Sequence, residues 1–437
     1  MADELQVAYF QADVTPPLHS PLCAGMSTPA RQIVEPLTAR GVVIHSGRAR
    51  PVVLCAVDWV GIANESHIAW REAIAEAAGT HADNVALHCV HQHAAPFGDM
   101  SAARLLDMHE TNERAFDSTF ENEAISHTAA AITRSLPGAR RITHVGIGQA
   151  DVKSVASNRR ILSGDGKSKA IRHAICQDEK IRDAPEGVID PAVRLITLFD
   201  GEQPIVAMSF YACHAQSQPG LGEVTTGFVG TARSIRESRL PDVHHIHFCG
   251  AAGNITVGKY NDNTPDITIT LAHRLERGIT EASENTERHL LDARQIQWRS
   301  IPMNLSPAAH LNEEQLLAKL ADNKANLAEH AAAARDLAWL SRCSRRAPVY
   351  LTVLALGPAL IVGMPGEPFV EYQLLASAIR PRAMVCLAGY ADMGMRHLCT
   401  RVSHAQGGYE PARCGTTPDA ERQVQSAMAK LMNERAF

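Results

Sequence analysis

Two histidines stand two residues apart in "VHQHAAPFGD" (residues 90–99), directly after the apolar run "NVALHCV". Imidazole nitrogen is a zinc donor, and a catalytic zinc centre needs about three protein ligands plus an open position. Along extended backbone, residues i and i+2 project to one side. His91 and His93 are therefore expected to face one cavity, with His88 turned to the other face or into the core. Two more donors sit in comparable settings. "FYACHAQSQ" places His214 at the end of another apolar strand, and "GMPGEPFVEYQ" places Glu367 at a strand-to-helix turn between Gly366 and Pro368. Each has an ordinary explanation. Among 21 histidines a chance HxH is plausible, a lone histidine at a strand end is most often hydrogen-bonded structure, and a glutamate at a helix start is favoured by the helix dipole. Four such signals at strand ends carry more together than any one alone. Other zinc patterns fit poorly: there is no HExxH, Asp99 comes too late for HxHxDH, and eight regular strand–helix units for an amidohydrolase-type barrel are not found.

The elements that must position these residues read as alternating strands and helices. "RPVVLCAVDWVG" (50–61) is a continuous apolar run, the pattern of a strand buried on both faces. A helix over 64–79 follows, with Asn64 as cap and Gly79 as stop, then a strand over 83–90. Such a unit makes the two strands parallel, and sites in these sheets gather at the carboxyl ends of the strands, where Asp58, His91 and His93 lie. Further on, the spacing predicts a helix over 117–135, a strand over 140–152 and a polar loop over 157–172. A hairpin turns at Gly201–Glu202. A strand over 244–254 runs into a small-residue turn, and a helix covers 264–283. Residues 311–341 read as a helical excursion on the surface. A strand pair turns at Gly357–Pro358, a late strand covers 383–394, and an amphipathic helix closes the chain over 418–434. The mixture predicts an α/β fold with a mixed sheet flanked by helices. No internal repeat and no composition break is evident.

The chain has 437 residues, 45% hydrophobic and 20% charged, ample for a large core. A net charge of -5 argues for neither a nucleic-acid nor an anionic-membrane partner. No apolar run approaches the ~20 residues that span a bilayer. The N-terminus lacks a basic segment followed by an apolar one, and the ten cysteines are scattered without a CxxC pair. Cys55, Cys213 and Cys386 sit inside apolar strands, as buried reduced thiols do. The expected location is the cytoplasm, or outside the cell where a leader has been removed. Oligomeric state is left open.

Taken in order, "ADVTPP", "LTARGVVI", "VVLCAVDWVG", "VHQHAAPFGD", "SNRR", "GVIDPAVRLITLFD", "FYACHAQSQ", "CGAAGNIT", "MPGEPFVEY", "LAGYADMG" and "GGYE" resemble the neutral (non-lysosomal) ceramidase family, especially its shorter bacterial members. The resemblance implies an α/β catalytic domain over 1–437 without the C-terminal immunoglobulin-like domain of larger members, and zinc-dependent amide hydrolysis. It places metal ligands at His91, His214 and Glu367. Tyr390, Asp392 and water stay open for the fourth position. It places catalytic groups at His93, at Arg159 of "SNRR" and at Tyr409 of "GGYE". In the "GAAGN" turn, Asn254 stands where larger members carry aspartate and Thr256 falls at the hydroxyl position. An asparagine cannot act as a base, so the part those two play stays open. Asp58 is expected either to fix a ligand imidazole or to form a salt bridge. The zinc ion would polarise the scissile carbonyl and lower the pKa of water. The expected substrate is a small amide or ester, lipid- or sugar-derived, and the low aromatic content favours a polar one over ceramide. The alternative is a non-catalytic protein of the same fold that binds zinc or a small ligand.

Overall fold

The computed structural model describes residues 5–47, 49–109, 114–218 and 220–433, and one chain path recurs in it three times. In the first sheet Leu5–Asp13 pairs antiparallel with Thr38–Ser46, which pairs antiparallel with Val52–Val57. Helix Asn64–Ala77 then carries the chain to Val85–Cys89, parallel to Val52–Val57. The second sheet repeats this path with His144–Asp151, Ala192–Asp200, Gln203–Tyr211, helix Gly227–Arg239 and His244–Cys249. The third uses Ile296–Met303, Val349–Leu356, Ala359–Gly363, helix Val370–Ile379 and Met384–Ala388. Arg140–Arg141 and Glu287–Leu290 add an edge strand to the first and second sheets. What recurs is connection and polarity, not residue identity, so no repeat is visible in the sequence. The fold is α/β with several mixed sheets, as expected.

The parallel pairs are where the apolar runs are needed. Every residue of Val52–Val57 and Val85–Cys89 is buried, because a parallel pair needs a crossover helix and has both faces covered. The three parallel edges meet at their carboxyl ends. There Cys89 N–H donates to Tyr390 O at 2.9 Å, Gly389 N–H to Cys249 O at 2.9 Å, and Gly250 N–H to Tyr211 O at 2.8 Å. A side chain on Gly389 would put its Cβ 2.9 Å from Gly250 O, so the junction requires glycine there. One large apolar cluster fills the first two sheets around Phe10, Trp59, Trp70, Phe228 and Phe248. A second backs the third sheet with Trp339, Phe369, Tyr372 and the closing helix Ala420–Leu431.

Three local expectations change. Residues 311–341 are a surface excursion only in part: helix Glu313–Leu320 buries Leu320 alone, but helix Leu327–Ser344 buries Ala331, Ala334, Leu337 and Trp339 and packs along helix Met100–Met108. Its small residues allow the close approach. The expected loop at 157–172 forms two short antiparallel pairings, Ser157–Asn158 with Ile255–Thr256 and Arg160–Leu162 with Ser168–Ile171. Asn64 does not cap its helix. It is the first helical residue, at φ 53°, and its amide donates to Asp99 Oδ2 at 2.9 Å. No helix among the described residues is long and apolar enough to cross a membrane.

Beneath the first crossover helix, Glu121 is buried and accepts from Ser66 Oγ at 2.9 Å and Trp70 Nε1 at 3.2 Å. Burial pushes its carboxyl up to about 7, with those two bonds opposing the shift. The folded chain therefore holds a proton that the unfolded chain releases near its ordinary value of 4.5. Between those values stability falls as pH rises. From pH 5 to pH 8, denaturant unfolding should show Glu121→Gln losing less stability than the natural chain, by up to about 3 kcal/mol. Identical pH dependence in both proteins would show that Glu121 does not titrate in this way.

Candidate metal centre

His91 follows Val85–Cys89 with φ 64°, so the His91–His93 stretch is not extended and the expected alternation does not operate. The left-handed turn brings the two rings together all the same: their centroids are 4.7 Å apart and Nε2 to Nε2 is 3.1 Å. His91 N–H donates to Trp59 O at 3.0 Å and its Nδ1 lies 2.6 Å from Val60 O. His214, just past Gln203–Tyr211, sets Nδ1 2.8 Å from Ala252 O. A carbonyl can only accept, so both Nδ1 atoms carry the proton and both Nε2 atoms turn a lone pair to the centre.

Glu367 supplies the carboxylate. Its Oε2 lies 3.5 Å from His91 Nε2, 3.6 Å from His214 Nε2 and 3.4 Å from Nδ1 of a further residue, His397. Sequence reasoning missed His397. It arrives through a two-residue parallel pairing in which Glu367 faces His397 and Pro368 faces Leu398, and nothing in "MRHLC" signals that pairing. Gly253 lets the neighbouring turn approach Glu367, since a Cβ there would sit 2.3 Å from Glu367 O. At bond lengths of about 2.0–2.1 Å, the edge of a tetrahedral zinc shell is about 3.3–3.4 Å. The three carboxylate-to-imidazole distances match that edge. His397 Nδ1 is buried and makes no hydrogen bond despite its distance from Glu367. His91, His93 and His214 also bring one donor atom each within 4.8 Å of one another.

Burial alone would raise the Glu367 carboxyl. The imidazoles of His397, His91 and His214 around it outweigh that effect and hold the group well below the usual carboxylate range. Burial, reinforced by His91 and His214, pushes His93 well below the ordinary histidine value. It also lowers His214, to about 4, and His397. The centre thus sets one carboxylate beside imidazoles of which His93, His214 and His397 are held neutral by burial, a donor set suited to a borderline-soft dication.

Arg159 reaches the same centre from "SNRR". Its Nε donates to Glu410 Oε1 at 2.8 Å and its Nη2 to Gly253 O at 2.5 Å, with His397 Nε2 at 3.5 Å. Burial would lower this guanidinium, but Glu410 and Glu367 raise it. Tyr409 is half-buried, with its ring 5.4 Å from Arg159 Cζ and 5.9 Å from the His397 ring. His93 opens on a narrow polar cavity of about 20 Å³ shared with Gln216, Ser217, Gln218 and Glu223. A larger cavity, about 730 Å³, is lined by Pro17, Leu18, Gly25, Pro29 and Leu327, and none of the donors lines it. Between the two runs a loop that sequence reasoning also missed. Its Cys23 Sγ is 3.9 Å from His93 Nδ1, and His19, Cys23 and Ala24 all have positive φ.

Other expected residues are spent elsewhere. Asp392 is not a ligand: its carboxylate accepts from Arg342 Nη1 at 2.5 Å and from Gly394 N–H at 3.1 Å, and lies 3.6 Å from His67. Tyr390, by contrast, stays at the centre: its ring lies 4.3 Å from that of His91 and 6.0 Å from that of His214, and its buried hydroxyl has no hydrogen-bond partner, so it is still open as a donor. Asp58 fixes no imidazole, since Thr38 and both terminal nitrogens of Arg233 occupy it. Asn254 accepts from Val370 N–H at 2.9 Å and donates to Glu371 at 3.0 Å, holding the helix that follows Glu367. Thr256 accepts from Gly258 N–H at 3.3 Å. His88 is structural, with Nδ1 2.9 Å from Gly389 O.

No family model matches the chain, and no curated protein matches it in sequence. Among solved structures it is similar to neutral ceramidase from Pseudomonas aeruginosa, with a TM-score of 0.72 and 16% identity over 99% of this chain and 74% of that one. A ceramidase complexed with C2 gives the same score and identity over 98% and 75%. The fold is therefore neutral ceramidase-like, in a chain shorter than those it matches.

Two substitutions separate the metal donors from their supports. Glu367→Gln should fold normally and hold zinc at least about a hundredfold more weakly in a chelator competition, the scale seen for disturbing even outer partners of a metal. Asp58→Asn should leave zinc affinity unchanged and cost about 3–5 kcal/mol in urea unfolding, because it leaves Arg233 buried without its counter-charge. The reverse pattern would exchange the roles assigned to the two carboxylates.

Proposed function

We propose that the chain, acting as one domain over 1–437, is a zinc-dependent hydrolase that cleaves a small polar amide or ester. The observation that supports this most is the sharing of Glu367 Oε2 by His91, His214 and His397 beside a half-buried His93 and a buried Arg159. His91, His214 and Glu367 would hold the ion, with His397 as a fourth protein donor, so that water or the scissile oxygen would enter as a fifth ligand. Nitrogen donors with one carboxylate favour zinc over magnesium or calcium, which prefer all-oxygen sets. A bound zinc ion supplies Lewis acidity toward the scissile carbonyl and toward water.

The chain's own residues do the rest. His93 stays neutral near pH 7 because burial lowers its pKa. Its imidazole can take a proton or donate one to the oxygen that gains charge at the scissile carbon. Arg159 is fixed through Nε and Nη2, and its Nη1 makes no hydrogen bond to the described residues. That nitrogen and the Tyr409 hydroxyl serve as preorganised donors for the developing oxyanion. Glu410 holds both Arg159 and Arg160 at 2.5–2.8 Å, so the guanidinium does not have to reorganise as charge appears.

The residues that His93 opens on include glutamine, serine and glutamate, which favours a polar acyl or amine group over a long hydrocarbon chain. Turnover of a mixed amide and ester panel by zinc-loaded protein should rank small polar compounds above long-chain ceramide. His93→Ala should keep its metal and lose about 10²–10⁴ in rate, the usual range for a general acid–base group. Ceramide as the best compound would overturn the substrate assignment. Loss of zinc in His93→Ala would make His93 a ligand, and tight zinc without any turnover would favour a non-catalytic binding protein.

A further inference from the structure

We infer that the chain holds a second metal site, a Cys2His zinc site formed by Cys399, His404 and Cys414, which clasps the segment lying over the first. Each of these residues offers one donor atom, and the three atoms lie within 4.8 Å of one another. They come from three separate turns of backbone. Cys399 follows the short strand His397–Leu398, His404 sits on helix Arg401–Gln406, and Cys414 follows the turn Pro411–Arg413 and bridges to Arg396.

Buried cysteine is often only a small apolar side chain, and Cys399 and Cys414 are fully enclosed. An imidazole beside them changes the reading. His404 Nε2 is buried and makes no hydrogen bond of ordinary geometry, its ring lying beside the Cys414 thiol, an arrangement costly for a polar atom unless something occupies it. Two thiolates and a neutral imidazole around Zn²⁺ also sum to zero charge, the condition that a buried ionic cluster needs. Soft sulfur donors select zinc among the common cations. Three protein donors leave one coordination position, and half-buried His404 marks the side from which water reaches it. The site would bind together both ends of the stretch that carries Tyr409 and Glu410, and Glu410 anchors Arg159 and Arg160. It therefore acts as a positioning device and depends on none of the chemistry assigned to the first centre.

The test is metal content on the full chain purified without chelator, together with the absorption spectrum of cobalt-exchanged protein. The natural chain should carry two zinc equivalents. Cys399→Ser and the half-exposed His404→Ala should each lose one, and Glu367→Gln should lose the other. Cobalt-exchanged natural protein and Glu367→Gln should both show a thiolate-to-cobalt charge-transfer band, which disappears in Cys399→Ser. That band needs no variant to be seen, so it decides the matter even if the cysteine variants misfold. If only the second site exists, one equivalent with the band remains. The proposal is overturned by a Cys399–Cys414 disulfide in a non-reducing peptide map, or by metal content and a spectrum that Cys399→Ser leaves unchanged.

Discussion

Three parallel strand pairs end at one junction, and the main-chain bonds that join them there set the geometry of everything above. Cys89 to Tyr390 and Gly389 to Cys249 link the first sheet to the third and the third to the second. A buried strand end has main-chain groups that must be paired, and here each sheet satisfies another's. His91, His214 and Glu367 emerge from that junction within a few residues of strands Val85–Cys89, Gln203–Tyr211 and Ala359–Gly363. Rigid strands thus carry the donors, and each imidazole is then fixed by a carbonyl of an adjacent loop. The side chains proposed to hold the metal need little ordering of their own because the sheets have already brought them together.

The charge pattern follows from the same enclosure. A carboxylate in a dry centre is stable only if something nearby compensates it. Glu367 sits among three imidazoles, of which burial keeps His214 and His397 neutral, while the cation Arg159 stands further out and is balanced by Glu410. The proposed dication between the imidazoles and Glu367 would complete this balance and would leave Arg159 free to act on charge that develops on a substrate. In this arrangement Glu410 is as much a part of the centre as the donors are, although it touches none of them.

Much of this was legible in the chain. Strands buried on both faces read as continuous apolar runs, which is why the Val52–Val57, Val85–Cys89 pair, the hairpin at Gly201–Glu202 and the strand ends bearing His91, His214 and Glu367 were all readable. His397 was not. Its place depends on a parallel pairing with Glu367 that spans distant segments and leaves no periodicity. Asp392 was left open as a fourth donor by the resemblance, through its place in "LAGYADMG". The direction of its side chain is set by Arg342, on a helix that the sequence suggested lay at the surface. The His91–His93 pair converges for a reason the spacing did not contain: a left-handed turn at His91 instead of strand alternation. The recurring chain path of the three sheets lies in connectivity, which residue identity does not display.

The central claim is a cation held among His91, His214, His397 and Glu367. Crystals of the full chain, grown without chelator or added metal, give its most direct test through anomalous scattering recorded just above and just below the zinc absorption edge. The account predicts a strong difference peak equidistant, at about 2.0–2.2 Å, from Nε2 of His91, Nε2 of His214, Nδ1 of His397 and Oε2 of Glu367. A map with no peak there, and with Glu367 hydrogen-bonded directly to protonated imidazoles, would contradict it.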